Sequence, residues 1–258
     1  MRVLIVGDVH GRHERLAGLL ERGRDTLGIS AAIQVGDYGF DERAMRRHPA
    51  RYPVPVYAID GNHEDHGWLQ RAIDAGHDAR WRDDLQLFYQ RRPSVDYLGS
   101  SAVGFIGGAL HVDRPQRHNQ AAGLPNYILR RQAEEAGTLF NRARPALIVS
   151  HSCPSRIGIG LSGPEDLHGG VIDHIVSAGF DPGPQEDCGE AELSRIWHTL
   201  AYRPVAWVFG HHHRPHAADI DGTLFVCVGD ADAAESCPVI WDTETMSLTA
   251  TAAPWRAA

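Results

Sequence analysis

Five times in 258 residues a short apolar run stops at a small or polar residue and hands over to a carboxylate, an amide or an imidazole. The run 1–6 leads into Gly7-Asp8-Val9-His10-Gly11, 31–35 into Gly36-Asp37, and 54–59 into Asp60-Gly61-Asn62-His63-Glu64. Further on, 146–150 delivers His151, and 205–209 delivers Gly210-His211-His212-His213. Runs of Val, Ile, Ala and aromatics of this length read as buried strands, and the glycines as turns at their carboxyl ends. Ligands of open α/β sheets bind at that edge, so the five strand ends are expected to converge on one rim.

The segments between the runs supply the covering helices. Leu16, Leu19 and Leu20 recur at helical spacing in 13–22, with 23–29 read as the link to the second strand. A short polar helix is expected at about 41–48, and an amphipathic one carries Trp68, Leu69, Ala72 and Ile73. Residues 97–106 have strand character and end in Gly107-Gly108-Ala109, whereas 130–141 and 190–200 look helical. Residues 223–228 and 239–248 read as strands of a second sheet closing the fold. Alternation of strand and helix predicts an α/β protein with parallel strands under helices. A single domain over 1–258 is expected, with inserted loops at about 107–127 and 154–189.

Composition narrows the function. A hydrophobic content of 43% supports a large buried core. The net charge of −8 speaks against non-specific attraction to nucleic acid or anionic membranes, although bound metal ions would reverse the sign locally. No apolar run approaches the roughly 18 residues of a membrane span, and the chain enters a strand at once; no membrane partner and a cytoplasmic location are the expectations. Cys153, Cys188, Cys227 and Cys237 lack paired spacing and read as reduced thiols, with Cys153 a small, partly buried residue.

Asp8 and His10 stand two apart, so an extended backbone sends both side chains to the same face, where they can grip one ion; His211 and His213 repeat the spacing. With Asp37, Asn62 and His151 they make seven oxygen and imidazole donors. Seven is too many for one tetrahedral ion and suits two ions of higher coordination bridged by a carboxylate. His212, between two of the donors, is expected to point the other way.

The five blocks resemble, in the same order, those of the calcineurin-like metallophosphoesterase superfamily. The resemblance implies a four-layer α/β/β/α sandwich with two central mixed β-sheets and the metal site at the sheet ends. By match of motif, Asp8, His10, Asp37 and His213 would hold one divalent ion, and Asp37, Asn62, His151 and His211 the other, with Asp37 as the bridge. Manganese is the expected metal, with iron or zinc as alternatives. His63 matches the motif histidine that is not a ligand, and would protonate the leaving oxygen or bind a phosphate oxygen.

The implied activity is phosphoester hydrolysis by in-line attack of a hydroxide held between two ions. A nucleotide or nucleic-acid phosphodiester is the leading substrate, a phosphomonoester the alternative, and an inactive binding scaffold the third reading. Protein Ser/Thr phosphatases of this superfamily carry Asp-Arg-Gly after the second block; here Tyr38-Gly39-Phe40-Asp41 follows Asp37 and the arginine is missing, leaving Asp41 as a candidate orienter of the histidine. Arg114 and Arg117, after Gly107-Gly108, are the nearest candidates to bind substrate in its place.

Overall fold

The computed structural model describes residues 1–48, 51–109, 126–159, 189–213, 215–229 and 238–251. Four strands, β1 (Arg2–Val6), β2 (Ala31–Gln34), β3 (Val56–Ala58) and β4 (Leu87–Tyr89), alternate with helices α1 (His13–Leu27), α2 (Glu42–Arg46), α3 (His66–Asp74) and α4 (His77–Arg80). A π-helical turn, Trp81–Leu85, joins α4 to β4. There follow β5 (Ser94–Leu98), β6 (Ser101–Ile106), α5 (Arg130–Ala143), β7 (Leu147–Ser150), α6 (Ala191–Thr199), β8 (Ala206–Phe209), β9 (Pro215–Ile220), β10 (Thr223–Val228), β11 (Val239–Asp242) and β12 (Ser247–Ala250).

The strands form two mixed six-stranded sheets, ordered β12-β11-β1-β2-β3-β4 and β5-β6-β7-β8-β10-β9. In the first, β1 to β4 are parallel, β11 runs antiparallel to β1 and β12 antiparallel to β11; in the second, β6, β7, β8 and β10 are parallel, with β5 and β9 antiparallel at the edges. Residues along β1 alternate between two cores, as the pleat requires. Leu4 and Val6 pack under Leu16 and Leu20 of α1, whereas Val3 and Ile5 meet Phe105, Val149 and Val208 of the other sheet. On the far face of the second sheet, Ile148, Trp207 and Phe225 pack against Phe140 of α5 and Leu193, Ile196 and Trp197 of α6. Three cores between helix, sheet, sheet and helix make the α/β/β/α sandwich.

Three expectations are corrected. Helix α1 runs through Gly23 to Leu27 instead of ending at Arg22, because the true stop is Gly28, left-handed at φ 62, whose N–H reaches the Gly23 carbonyl. Residues 97–106 span two strands, since Gly99 (φ 60) turns the chain between β5 and β6. The carboxyl-terminal strands are divided: β10 lies in the second sheet, but β11 returns to β1, with Leu4 opposite Ile240, and carries β12 to the edge of the first. Apolar alternation specifies a buried strand without saying which of two sheets it joins.

Candidate metal centre

Strands β1, β2 and β3 of one sheet and β7 and β8 of the other end at the same rim, each followed by a turn that carries candidate donors. Asp8, Asp37, Asn62 and His151 are buried there, while His10 and His211 are partly exposed and His213 is exposed. The backbone at Asp8, His10, Asp37, His211 and His213 lies in the left-handed region, with φ of 50, 49, 54, 67 and 53°. Asp8 and His10 therefore converge through a turn past the end of β1 and not through strand alternation. Such a backbone is costly for a residue with a Cβ and persists where neighbours enforce it. Here Asp8 N–H donates to the Gly36 carbonyl at 3.2 Å, His10 N–H to Asp37 O at 2.7 Å and Gly210 N–H to His151 O at 2.9 Å.

Three glycines admit the donors. A Cβ at Gly61 would overlap Asp37 Oδ1, one at Gly210 would overlap Asp8 Oδ2, and one at Gly36 would overlap His151 Nδ1. Any side chain at these positions would push a carboxylate or imidazole out of the rim.

One atom from each of Asp8, His10, Asp37 and His213 falls within 4.8 Å of all the others. His10 Nε2 and His213 Nε2 face each other at 3.5 Å, with Asp8 Oδ1 3.4 Å from His213 and Asp37 Oδ2 4.0 Å from His10. Beside this group, His151 Nε2 lies 3.3 Å from Asp37 Oδ2 and 3.0 Å from Asn62 Oδ1. The His211 ring stands 5.0 Å from the His151 ring, and the His211 N–H donates to both Asp8 oxygens at 3.2 Å. His151 Nδ1 sits 2.8 Å from the Val35 carbonyl, so Nδ1–H donates there and Nε2 faces Asp37 and Asn62.

The electrostatics follow from burial and proximity. Burial alone would lower the His151 pKa, but the adjoining Asp37 carboxylate overrides it and raises it to about 10. Burial likewise opposes charge on Asp37, and His151, then His63 and His10, hold its carboxyl well below the usual range. Burial, then the neighbouring His151, pushes His211 well down. Oxygen and imidazole donors gathered from three strand ends, with two imidazole nitrogens face to face beside two carboxylates, are the donor chemistry of first-row divalent cations. Such a cation is what would relieve the crowding.

His63 is exposed, with its ring 5.5 Å from that of His10 and its N–H donating to Asp37 Oδ1 at 2.9 Å. His212 is buried behind the rim, its Nε2 3.5 Å from Cys153 Sγ, and burial followed by His151 lowers its pKa to about 3. Asp41 is engaged elsewhere: its side chain caps α2 by accepting the Ala44 N–H at 2.7 Å. Arg114 and Arg117 lie outside the described residues.

Glu64 was legible only as part of the Gly-Asn-His-Glu string, yet it ties two of the turns together. Its Oε1 accepts N–H groups from Tyr38 at 2.9 Å and Gly61 at 3.2 Å, and Oε2 those of Gly39 at 3.0 Å and Phe40 at 2.7 Å. Burial, then the Asp37 charge, pushes its carboxyl up to about 7 against the pull of these donors. Buried Gln34 clasps the intervening turn, accepting the Gly36 N–H at 3.1 Å and donating to the Gly36 carbonyl at 2.5 Å. A buried glutamine at the end of an apolar strand was its only sequence signal.

The chain matches the family model described as calcineurin-like phosphoesterase over residues 1–215. A search of curated protein sequences gives no match. Among solved structures, TT1561 of Thermus thermophilus superposes with a TM-score of 0.58 at 13% identity, covering 97% of each chain. GAP50, the anchor in the inner membrane complex of Plasmodium, superposes at 0.50 with 10% identity, covering 94% of this chain and 81% of that one. A candidate 5'-nucleotidase from Staphylococcus aureus does so at 0.50 with 15% identity, covering 97% of this chain and 52% of that one. At such identities the superpositions carry the fold alone, whereas the family model covers most of the chain. No helix among the described residues is long and apolar enough to cross a membrane. The chain belongs to the calcineurin-like phosphoesterase family, and is thus a phosphoester hydrolase of a kind that works with a dinuclear divalent metal centre.

Proposed function

We propose that the protein is a phosphodiesterase acting on nucleotide substrates, with Asp8, His10, Asp37 and His213 holding one divalent ion and Asp37, Asn62, His151 and His211 the other. The observation that carries this reading is the meeting of four ligand atoms within 4.8 Å beside the exposed His63. When bound, a pair of such ions neutralises charge growing on the phosphoryl oxygens and acidifies water. Asp37, shared by both groups, keeps His63 at the site through the bond from its N–H. As an imidazolium, His63 would give one ring proton to the departing ester oxygen and be left as the neutral imidazole. His151 is fixed by its Nδ1–H bond to Val35, so that Nε2 serves as the donor. Manganese is the proposed metal, with iron and zinc able to use the same donors.

The preference for diesters comes from residues 38–41, directly after Asp37. Tyr38 is buried with its hydroxyl 2.6 Å from His48 Nε2 and 2.7 Å from the Tyr52 hydroxyl, Phe40 lies in the core, and Asp41 caps a helix. This segment offers no guanidinium to balance the second charge of a monoester, and a diester carries only one. Manganese-reconstituted protein is expected to show a higher kcat/KM for bis(p-nitrophenyl) phosphate than for p-nitrophenyl phosphate. The reverse order would make it a phosphomonoesterase.

A further inference from the structure

The rim continues past the candidate metal centre. One strand outward in the first sheet, the ends of β3 and β4 enclose with α3 and the start of α5 a cavity of about 400 Å³. Its floor is the buried Asp60, the residue before Gly61-Asn62. Asp60 Oδ2 accepts from Arg92 Nε at 2.8 Å and also from Nη2, and Oδ1 accepts the Tyr89 hydroxyl at 3.2 Å. Arg92 Nη1 goes on to the Tyr127 carbonyl at 2.9 Å. His66 closes the floor, with Nδ1 3.6 Å from Asp60 Oδ2 and Nε2 3.1 Å from the Gly61 carbonyl.

Gly107 and Gly108 make this floor possible. A Cβ at Gly107 would overlap Asp60 Oδ1, one at Gly108 would overlap Arg92 Nη1, and the Gly108 N–H donates to the Asp60 carbonyl at 2.8 Å. A desolvated ion pair is weak evidence for stability, since apolar residues of similar volume often serve a fold as well. What it supplies here is a rigid polar floor covalently continuous with the Asn62 turn.

The walls are of a different character. Leu69 and Ile73 of α3 face the cavity with Leu129, and the rings of Tyr89 and Tyr127 contribute flat surface. Ile73, Leu129 and Tyr89 are only partly buried, so apolar area remains open to an incoming group. Gln70, Gln132 and Arg91 stand around them, held by Asp74, the Leu129 N–H and Asp78 respectively, and their remaining amide and guanidinium groups are of the kind that read heterocycle edges. A pocket of roughly 300 to 1,000 Å³ with apolar walls and a few convergent polar groups is the usual form of a small-molecule site. Two strand spacings of roughly 4.8 Å separate the end of β2, which bears Asp37, from that of β4. A sugar bridges such a span.

We propose that this cavity receives the nucleobase of a nucleotide phosphoester whose phosphoryl group lies at the metal centre. The inference rests on the phosphodiesterase reading and specifies its substrate class. It assigns Leu69, Ile73 and Leu129 to substrate selection and gives Gly107-Gly108 a role in shaping the site.

The test compares two esters with one leaving group, thymidine 5'-(p-nitrophenyl phosphate) and methyl p-nitrophenyl phosphate, in the wild type and in Leu129→Trp and Ile73→Trp, which fill the cavity from opposite walls. Binding of thymidine alone is followed in parallel by saturation-transfer NMR, and circular dichroism and melting verify the fold. The ratio of kcat/KM for the thymidine ester to that for the methyl ester is expected to fall at least tenfold in both variants, mainly through KM, and thymidine binding is expected to vanish. A ratio unchanged within twofold in both folded variants would overturn the pocket assignment. Should the wild type hydrolyse neither ester, the phosphodiesterase reading fails, and thymidine binding decides the pocket separately: saturable binding lost in the variants upholds it, and no binding to the wild type overturns it.

Discussion

Asp37 accepts the backbone N–H of His63 through Oδ1 at 2.9 Å, while its other oxygen faces His151 and His10. One carboxylate thereby positions the candidate acid and lies beside both proposed groups of donors. Substituting Asp37→Asn should lower the occupancy of both metal positions together, whereas His213→Ala should empty mainly the one built on Asp8 and His10. Elemental analysis of the purified variants reads this directly, and an Asp37→Asn protein with full occupancy would remove the bridge.

His63 touches the site through its ring next to His10, 5.5 Å between centroids, and is assigned no donor role. The variant His63→Ala is expected to keep its metals and to lose about 10²-fold or more in rate on esters with alkoxide leaving groups, while nitrophenolate, which departs without a proton, is affected little. A plot of log kcat against leaving-group pKa should steepen. Parallel plots for variant and wild type would turn His63 into a phosphate-binding residue instead.

The four N–H groups gathered by Glu64 make it a stability residue as well as a support for the site. In Glu64→Gln one of the two oxygens becomes an NH₂ that faces two buried donors. A loss of about 2 to 4 kcal/mol in urea unfolding is expected from two unmet donors. It should be accompanied by weaker metal retention, because the turns after Asp37 and before Asn62 lose their tie. Unchanged stability would show that the donors find other partners.

Much of this is legible in the chain itself. The five strand ends were visible because each couples an apolar run to a small or polar residue, in four of them a turn glycine, and Gly36, Gly61 and Gly210 are the positions where a candidate donor lies against the backbone. What stayed hidden depends on packing between distant segments. Arg92 reaches Asp60 across 32 residues and belongs to no motif, and β4 has only three residues and no alternation to reveal it. The destination of β11 was equally illegible, since Val239 and Trp241 would suit the inner face of either sheet. Asp8 and His10 were paired for the wrong local reason: their convergence comes from left-handed turns.

His13 gives the fold a pH dependence separate from the metal donors. Its ring stacks on Tyr38 at 4.4 Å and lies 4.6 Å from His48, and burial, then His48, lowers its pKa from 6.5 to about 3. The unfolded imidazole takes up a proton near pH 6.5, but the folded one does not until about pH 3. Its contribution is therefore complete above pH 6.5 and declines as pH falls toward 3. In His13→Gln, the loss of unfolding free energy between pH 7 and 5 should be shallower by up to about 1.4 kcal/mol per pH unit. Equal slopes in variant and wild type would assign the acid sensitivity to other groups.

A pair of divalent ions sharing Asp37 is tested most directly by anomalous diffraction from crystals grown in manganese, without reference to any substrate. Two anomalous peaks are predicted, one bounded by Asp8, His10 and His213 and the other by Asn62, His151 and His211, with the Asp37 carboxylate between them. A single peak, or two peaks that do not share Asp37, would contradict the account.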